Sequence, residues 1–247
     1  MEFKNKDYYI VALIPARSGS KGIINKNIKI YDGLPLLAHS INIALKSDYI
    51  KDVYVSTDSK EYQQIALSFG SKVTALRPYN ISDDLSPDID TFKFFINMFK
   101  DNNERIPDII IHLRPTYPNR KLEILNNSIK TFIKNYENYD SLRSVINIDK
   151  TPYKMYYINE DIDNKNYLRP YLNNFKDYIE PFNQARQIFP KTFLHNGCID
   201  IIKSSVIIDK NLLSGEKIYP YLMNENEDND IDNIKDFIIS ENNINKI

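Results

Sequence analysis

Glycine is scarce in this chain: six residues in 247, where average usage near 7% would give about 17. Each glycine therefore asks for a local reason, and two of the six, Gly19 and Gly22, fall inside one short loop near the N-terminus. Cysteine is rarer still. The single thiol, Cys198, can neither close an internal disulfide nor build a thiolate metal cage, which agrees with a reducing compartment. Neither sign of charge is in excess, with Lys+Arg 32 against Asp+Glu 33 and a formal net charge of -1. No global field draws the chain to nucleic acid or to an anionic membrane, so any anion site must be local. Long apolar runs are missing too: Tyr8–Ile14 is too short to span a membrane and continues into Pro15-Ala16-Arg17. The sequence is read as soluble and cytoplasmic, with no nucleic-acid and no membrane partner. What it does have is length enough for a single large core.

Strands and helices alternate through the first 150 residues. Tyr8–Ile14 reads as a buried central strand, followed by the loop Pro15–Asn27 and a helix over Leu36–Lys46. A second strand, Asp52–Ser56, leads to a helix over Lys60–Phe69 with Ser59 as its N-cap and Gly70 just past its end. Lys72–Leu76 and Asp108–Leu113 read as further strands, Pro87–Lys100 and Lys121–Asn135 as helices. This rhythm predicts an α/β fold: a mostly parallel sheet flanked by helices, with ligands bound beyond the carboxyl ends of the strands. From about Ser141 the rhythm changes. Ser141–Ile148, Tyr153–Ile158 and Phe193–Ile202 are strand-like but are joined by polar, Tyr- and Asn-rich segments, which predicts one domain over residues 1–247 with an inserted antiparallel subregion at about 141–192. Lys217–Met223 reads as a returning strand, and a last helix follows an acidic stretch.

The loop after the first strand, from Pro15 to Asn27, carries the most information. Its two glycines let backbone approach a ligand, Ser18 and Ser20 supply hydroxyls, and Arg17, Lys21 and Lys26 supply positive charge. From Tyr8 to Tyr31 there is no Asp or Glu. In a chain of balanced charge, such a stretch at a strand's carboxyl end is a focused anion site suited to a polyphosphate. No Gly-Lys-Ser/Thr ending makes it a P-loop, and Gly-x-Gly-x-x-Gly is absent, so the ATPase, kinase and dinucleotide-binding readings lose support.

The string Ile14-Pro15-Ala16-Arg17-Ser18-Gly19-Ser20-Lys21-Gly22, followed by Lys26-Asn27, resembles the nucleotide-binding signature of the acylneuraminate cytidylyltransferases, which activate sialic acid and related nonulosonic acids with CTP. The resemblance implies a Rossmann-like nucleotidyltransferase fold with an antiparallel dimerisation arm and a homodimer. It assigns the nucleotide to Ala16, Arg17, Ser18, Gly19, Ser20, Lys21, Lys26 and Asn27, and extends it to Arg77 and Asp84. Asp58, in the turn Thr57-Asp58-Ser59 after the second strand, reads as part of a capping turn. Leu113-Arg114-Pro115-Thr116-Tyr117-Pro118-Asn119-Arg120 resembles the family's Leu-Gln-Pro-Thr-Ser-Pro-Leu-Arg string beside the acceptor sugar, with Arg114 in place of Gln and Tyr117 in place of Ser. An Arg at that place could pair with a substrate carboxylate, which a Gln cannot. Arg186-Gln187 and Asn196-Gly197 resemble later acceptor landmarks, so Arg114, Thr116, Tyr117, Arg186, Gln187 and Asn196 form the expected acceptor set.

The acidic segment Glu225–Asp232 ends in Asp230-Ile231-Asp232, which is similar to the family's metal-binding pair. In an extended segment the two carboxylates share a side, with Ile231 opposite, and can share Mg²⁺, with Mn²⁺ as an alternative. Glu225, Glu227 and Asp228 read instead as an acidic helix N-terminus. The resemblance implies a cytidylyltransferase that joins CTP to a nonulosonic acid and releases pyrophosphate, with Arg17, Lys21 and Asp232 central to catalysis. Kdo or a capsule precursor stands as the alternative acceptor, and a catalytically silent nucleotide-binding or assembly protein as the alternative of a different class.

Overall fold

The structure is a computed structural model that describes residues 7–20, 22–160, 165–224 and 230–244. Its centre is β1 (Ile10–Pro15), in which Val11 to Ile14 are fully buried. A run of apolar residues on both faces suits a strand with a neighbour on each edge. A two-stranded hairpin, β2 (Ile30–Tyr31) and β3 (Leu34–Pro35), leads into α1 (Leu36–Leu45). Then follow β4 (Asp52–Ser56), α2 (Lys60–Ser68), β5 (Lys72–Val73), α3 (Asp88–Asp101), β6 (Ile109–His112) and α4 (Leu122–Lys134). β7 (Ser141–Ile148), β8 (Tyr156–Glu160), β9 (Asn166–Pro170), β10 (Thr192–Lys203), α5 (Ser204–Lys210), β11 (Ile218–Met223) and α6 (Ile234–Ile244) complete it.

Seven strands form one sheet in the order β11-β7-β10-β6-β1-β4-β5. β1 pairs in parallel with β4 and β6, β4 in parallel with β5, and β10 antiparallel with β6, so the sheet is parallel at its centre and mixed beyond β6. The chain leaves β1 toward β4 and comes back on the other side as β6, which puts the switch in strand order beside β1. One face of the sheet is covered by α3, whose Phe92, Phe95, Ile96 and Phe99 pack on Val11, Leu13, Tyr54 and Ile110. A second cluster, Ile23, Tyr31, Leu36, Ile231 and Phe237, draws the basic loop, the hairpin, the start of α1 and the C-terminal segment together.

The chain divides into two compact units, Met1–Ser144 with Asn196–Tyr221 and Asp228–Ile247, and Val145–His195 with Leu222–Glu227. The second carries the antiparallel pair β8–β9, with Tyr156 opposite Pro170 and Glu160 opposite Asn166, and the stacked rings of Tyr153 and Phe189. Of Ser141–Ile148 and the Phe193–Ile202 region, residues 145–148 and 193–195 fall in the second unit. As β7 and β10 both segments are members of the main sheet, and the strands outside it in this region are β8 and β9. Lys72–Leu76 shortens to two residues, and beyond them Thr74 and Arg77 still donate their N–H groups to the carbonyls of Val55 and Thr57. Among the described residues no helix is long and apolar enough to cross a membrane.

Candidate active site

A cleft of about 420 Å³ opens at the carboxyl ends of β1 and β6, a size suited to a small-molecule ligand. Arg17, Ser20, Lys26 and Asn27 reach it from the loop after β1, Arg77 and Asp84 from the segment after β5, and Arg114 and Thr116 from the turn after β6. Eight of the residues expected from the sequence therefore meet around one cavity. Lys21, expected to hold phosphate, lies outside the described residues, as do Glu225, Glu227 and Asp228.

The basic loop is held open by bonds made largely through its backbone. Ala16 is buried and its N–H donates to the Ser56 carbonyl at 2.9 Å, while the buried Asn27 donates its side-chain amide to the Arg17 carbonyl at 2.9 Å. Asp58 accepts from the Ser18 N–H at 2.8 Å and from the Ser18 hydroxyl at 2.9 Å. The capping-turn reading of Asp58 is corrected: Ser59 accepts from the Tyr62 N–H to cap α2, and the Asp58 carboxylate ties down the loop. Ser18, expected to face nucleotide, spends its hydroxyl on that tie. Gly19 has open space around it. Arg17 pairs with Asp84 at 2.5 Å, joining two predicted nucleotide contacts. Arg77 is 7% exposed and donates from Nη1 to Thr91 at 2.7 Å. Its Nε and Nη2 are buried with no hydrogen-bond partner among the described residues. Burial disfavours the Arg77 charge, and nearby Asp58 offsets part of that effect. A buried guanidinium edge without an acceptor is costly unless a ligand oxygen supplies one.

The C-terminal acidic pair lies against this loop. Lys26 Nζ donates to the Ile231 carbonyl at 3.0 Å and stands 4.0 Å from the Asp232 carboxylate, while the Ile231 N–H donates to the Thr116 carbonyl at 2.8 Å. Ile231 is fully buried, and a Cβ on Gly22 would stand 3.1 Å from the Asp232 carbonyl. Gly22 thus lets the two segments approach. Burial pushes the Asp230 carboxyl above the usual carboxylate range; a hydrogen bond from Thr116 opposes this and the charge of Asp232 adds to it. Its Oδ1 is buried with no hydrogen-bond partner among the described residues, whereas the Asp232 side chain is 79% exposed. Asp236 accepts from the N–H groups of Asp232 and Asn233, and Asn233 accepts from those of Lys235 and Asp236, a reciprocal cap on α6.

The predicted acceptor residues separate. Arg114 and Thr116 line the cleft. Tyr117 does not: it is 1% exposed, with the Arg120 guanidinium over its ring. Asn196 is likewise buried, and its Oδ1 accepts from the Ser144 hydroxyl and the Cys198 N–H, which ties β7 to β10. Arg186 and Gln187 belong to the second unit, where Arg186 donates to the Asp149 carbonyl at 2.8 Å. Sequence reading missed Arg120, which is buried and donates to the carbonyls of Cys198 and Arg114 and to the Ser40 hydroxyl, setting the backbone that carries Arg114. It also missed Asp200 and Arg143. Asp200 is buried, accepting from Arg114 Nη1 at 2.7 Å and from Arg143 Nε at 3.0 Å. Gly197, at φ +69°, leaves a gap that a Cβ would fill 3.4 Å from Asp230 Oδ2 and 3.6 Å from Arg114 Cδ.

Residues 11–189 match the profile of the cytidylyltransferase family. The chain is 30% identical over 233 residues to the CMP-N,N'-diacetyllegionaminic acid synthase of Legionella pneumophila, covering 94% of each chain. It is 29% identical to the N-acylneuraminate cytidylyltransferase of Streptococcus agalactiae over 92% of its own length and 51% of that protein's, so it spans about half of that relative. The structure of CMP:2-keto-3-deoxy-manno-octonic acid synthetase complexed with CTP superposes with a TM-score of 0.68 at 16% identity, covering 96% of this chain and 98% of that one. A sheet switch point lined with arginines, a profile match over most of the chain and a relative aligned almost end to end agree: the chain belongs to the cytidylyltransferase family.

Proposed function

We propose that the chain transfers CMP from CTP to the anomeric hydroxyl of a nonulosonic acid of the sialic, legionaminic or pseudaminic type, releasing pyrophosphate. The observation that carries this reading is the junction of the basic loop with the acidic pair at the cleft, through Lys26 and Ile231 and across Gly22. The relative at 30% identity, named for CMP-N,N'-diacetyllegionaminic acid synthesis, supports the acceptor class.

The acceptor hydroxyl attacks the α-phosphorus as the bond to the β-phosphate oxygen breaks, and pyrophosphate leaves with the electron pair. The chain mainly holds reactants in line and meets developing charge. Arg17 and Lys21, with Ser20, Lys26 and Asn27, hold the phosphates; Arg77 offers its unpartnered edge to nucleotide oxygens. Arg114 and Thr116 meet the acceptor, with Arg186 and Gln187 assigned to it from the sequence. Asp230 and Asp232 fit a hard divalent cation. One oxygen of Asp230 is buried without a partner, and no group of three or more His, Cys, Asp or Glu is placed for a metal among the described residues. The remaining ligands would therefore come from the phosphates, as is usual for Mg²⁺. Bound there, Mg²⁺ (or Mn²⁺) would neutralise phosphate charge and ease loss of the acceptor's proton.

The test is pyrophosphate release from purified protein with CTP, Mg²⁺ and a panel of nonulosonic acids, with Kdo as the competing acceptor. No release with any acid despite CTP binding overturns the reading and leaves a silent nucleotide-binding protein. Asp232→Asn should lower turnover at least tenfold across a Mg²⁺ titration while its effect on stability stays within about 0.5 kcal/mol, since the side chain is exposed. A homodimer is proposed through the second unit, where Ile158, Leu168 and Ile179 are 69%, 65% and 92% exposed; light scattering on wild type and Ile158→Asp checks it. A cytoplasmic location is proposed with it.

A further inference from the structure

Asp200 is a buried carboxylate divided between two guanidinium groups. It sits on β10 opposite His112 of β6, with Oδ2 bonded to Arg114 Nη1 at 2.7 Å and Oδ1 to Arg143 Nε at 3.0 Å. Arg143 is in turn fixed by a 2.8 Å bond from Nη2 to the Ser214 hydroxyl. His112 Nδ1 stands 3.7 Å from the same Oδ2, and Asp88 faces Arg114, so two carboxylates and one imidazole surround the two guanidinium groups. Only part of Asp200's charge is available to balance Arg114, which lines the cleft. The geometry of Arg114 is divided in the same sense. Its Nη1 is clamped from below, while its Nη2 stands 3.6 Å from Asp88 Oδ2, beyond hydrogen-bond length, and the Asp88 side chain is 52% exposed. A clamped guanidinium has lost its rotamer freedom before a ligand arrives, so less entropy is lost when it binds. An exposed carboxylate at this distance is a weak partner that a ligand carboxylate can replace.

Resting on the cytidylyltransferase reading above, we propose that Arg114 receives the acceptor's carboxylate. In this proposal Asp200 and Arg143 are the positioning residues that hold it there, and Asp88 competes for the same edge. The acceptor is then selected by its acid group on the near wall of the cleft, independently of the CTP contacts.

The experiment compares one nonulosonic acid with its carboxamide as acceptors, measuring kcat and both KM values for wild type, Arg114→Gln, Asp200→Asn and Asp88→Asn. Wild type should favour the acid by at least tenfold in kcat/KM. Arg114→Gln and Asp200→Asn should raise the acid's KM about tenfold, leave the KM for CTP within about twofold, and remove most of the preference for acid over amide. Asp88→Asn should lower the acid's KM severalfold. If Asp200→Asn does not fold, Arg143→Lys replaces it, with the same expected sign and a smaller effect. Equal losses toward acid and amide in Arg114→Gln and the Asp200 or Arg143 variant, or a raised acid KM in Asp88→Asn, overturn the proposal while wild-type turnover keeps the enzyme reading. A wild type that turns over no acidic sugar overturns both.

Discussion

At the scale of single residues, the site depends on side chains whose work is to hold backbone. Asp58 is the clearest case: its two oxygens satisfy the Ser18 N–H and hydroxyl and fix the middle of the basic loop. Asp58→Ala leaves that half-buried N–H without its protein partner, a loss of about 0.5–1.5 kcal/mol. The expected outcome is a rise of about tenfold in the KM for CTP with little change in the acceptor's, read from initial rates. Gly22→Ala tests the neighbouring contact. A methyl group 3.1 Å from the Asp232 carbonyl requires a shift of a few tenths of an ångström, and the Mg²⁺ concentration for half-maximal rate should rise at unchanged CTP affinity. The basic loop was legible in the sequence because charge and glycine are local patterns. Asp200, Arg143 and Arg120 were not, since a buried ion is defined by what surrounds it and those neighbours come from strands far apart in the chain.

At the scale of elements, α/β alternation through α4 was readable because buried parallel strands and amphipathic helices have strong periods. β9 was hidden in polar, Tyr- and Asn-rich sequence without alternation, and the seven-residue α5 was too short to show a period. The membership of β7 and β10 in the main sheet is a matter of long-range pairing that no local pattern encodes. One junction of elements makes a pH-dependent prediction. Asp140, just before β7, accepts from Lys210 at the end of α5 and from the N–H groups of Glu216 and Lys217 leading into β11. The Lys210 bond, aided by the two backbone N–H groups, lowers its carboxyl to about 2. A carboxylate depressed in the folded state stabilises fully above its unfolded value near 4, and that contribution is lost as pH falls through about 2. The difference in urea midpoint between wild type and Asp140→Asn should be full at pH 6 and should close toward pH 2; a gap constant with pH would show that the charge is not its source.

At the scale of the whole molecule, one core cluster joins residues far apart in the sequence. Ile23, Tyr31 and Leu36 pack with Ile231 and Phe237. Ile231→Ala, a large-to-small change at a fully buried site, should cost about 2–5 kcal/mol in chemical denaturation. It should also weaken the response to Mg²⁺, because the two flanking carboxylates lose the anchor between them. Stability and metal response should therefore fall together here and separately in Asp232→Asn.

The bond from Lys26 to the Ile231 carbonyl spans 205 positions in the sequence. Synthesis at 5–20 residues per second separates the emergence of these partners by roughly 10 to 40 s. Through that interval the basic loop is present on the nascent chain without its acidic counterpart. The proposed nucleotide and metal site is incomplete until then, and pairing over such a separation carries a loop-closure cost before any contact repays it. In the proposed reading CTP with Mg²⁺ binds the folded protein alone, so it should slow unfolding while leaving the rate of refolding unchanged.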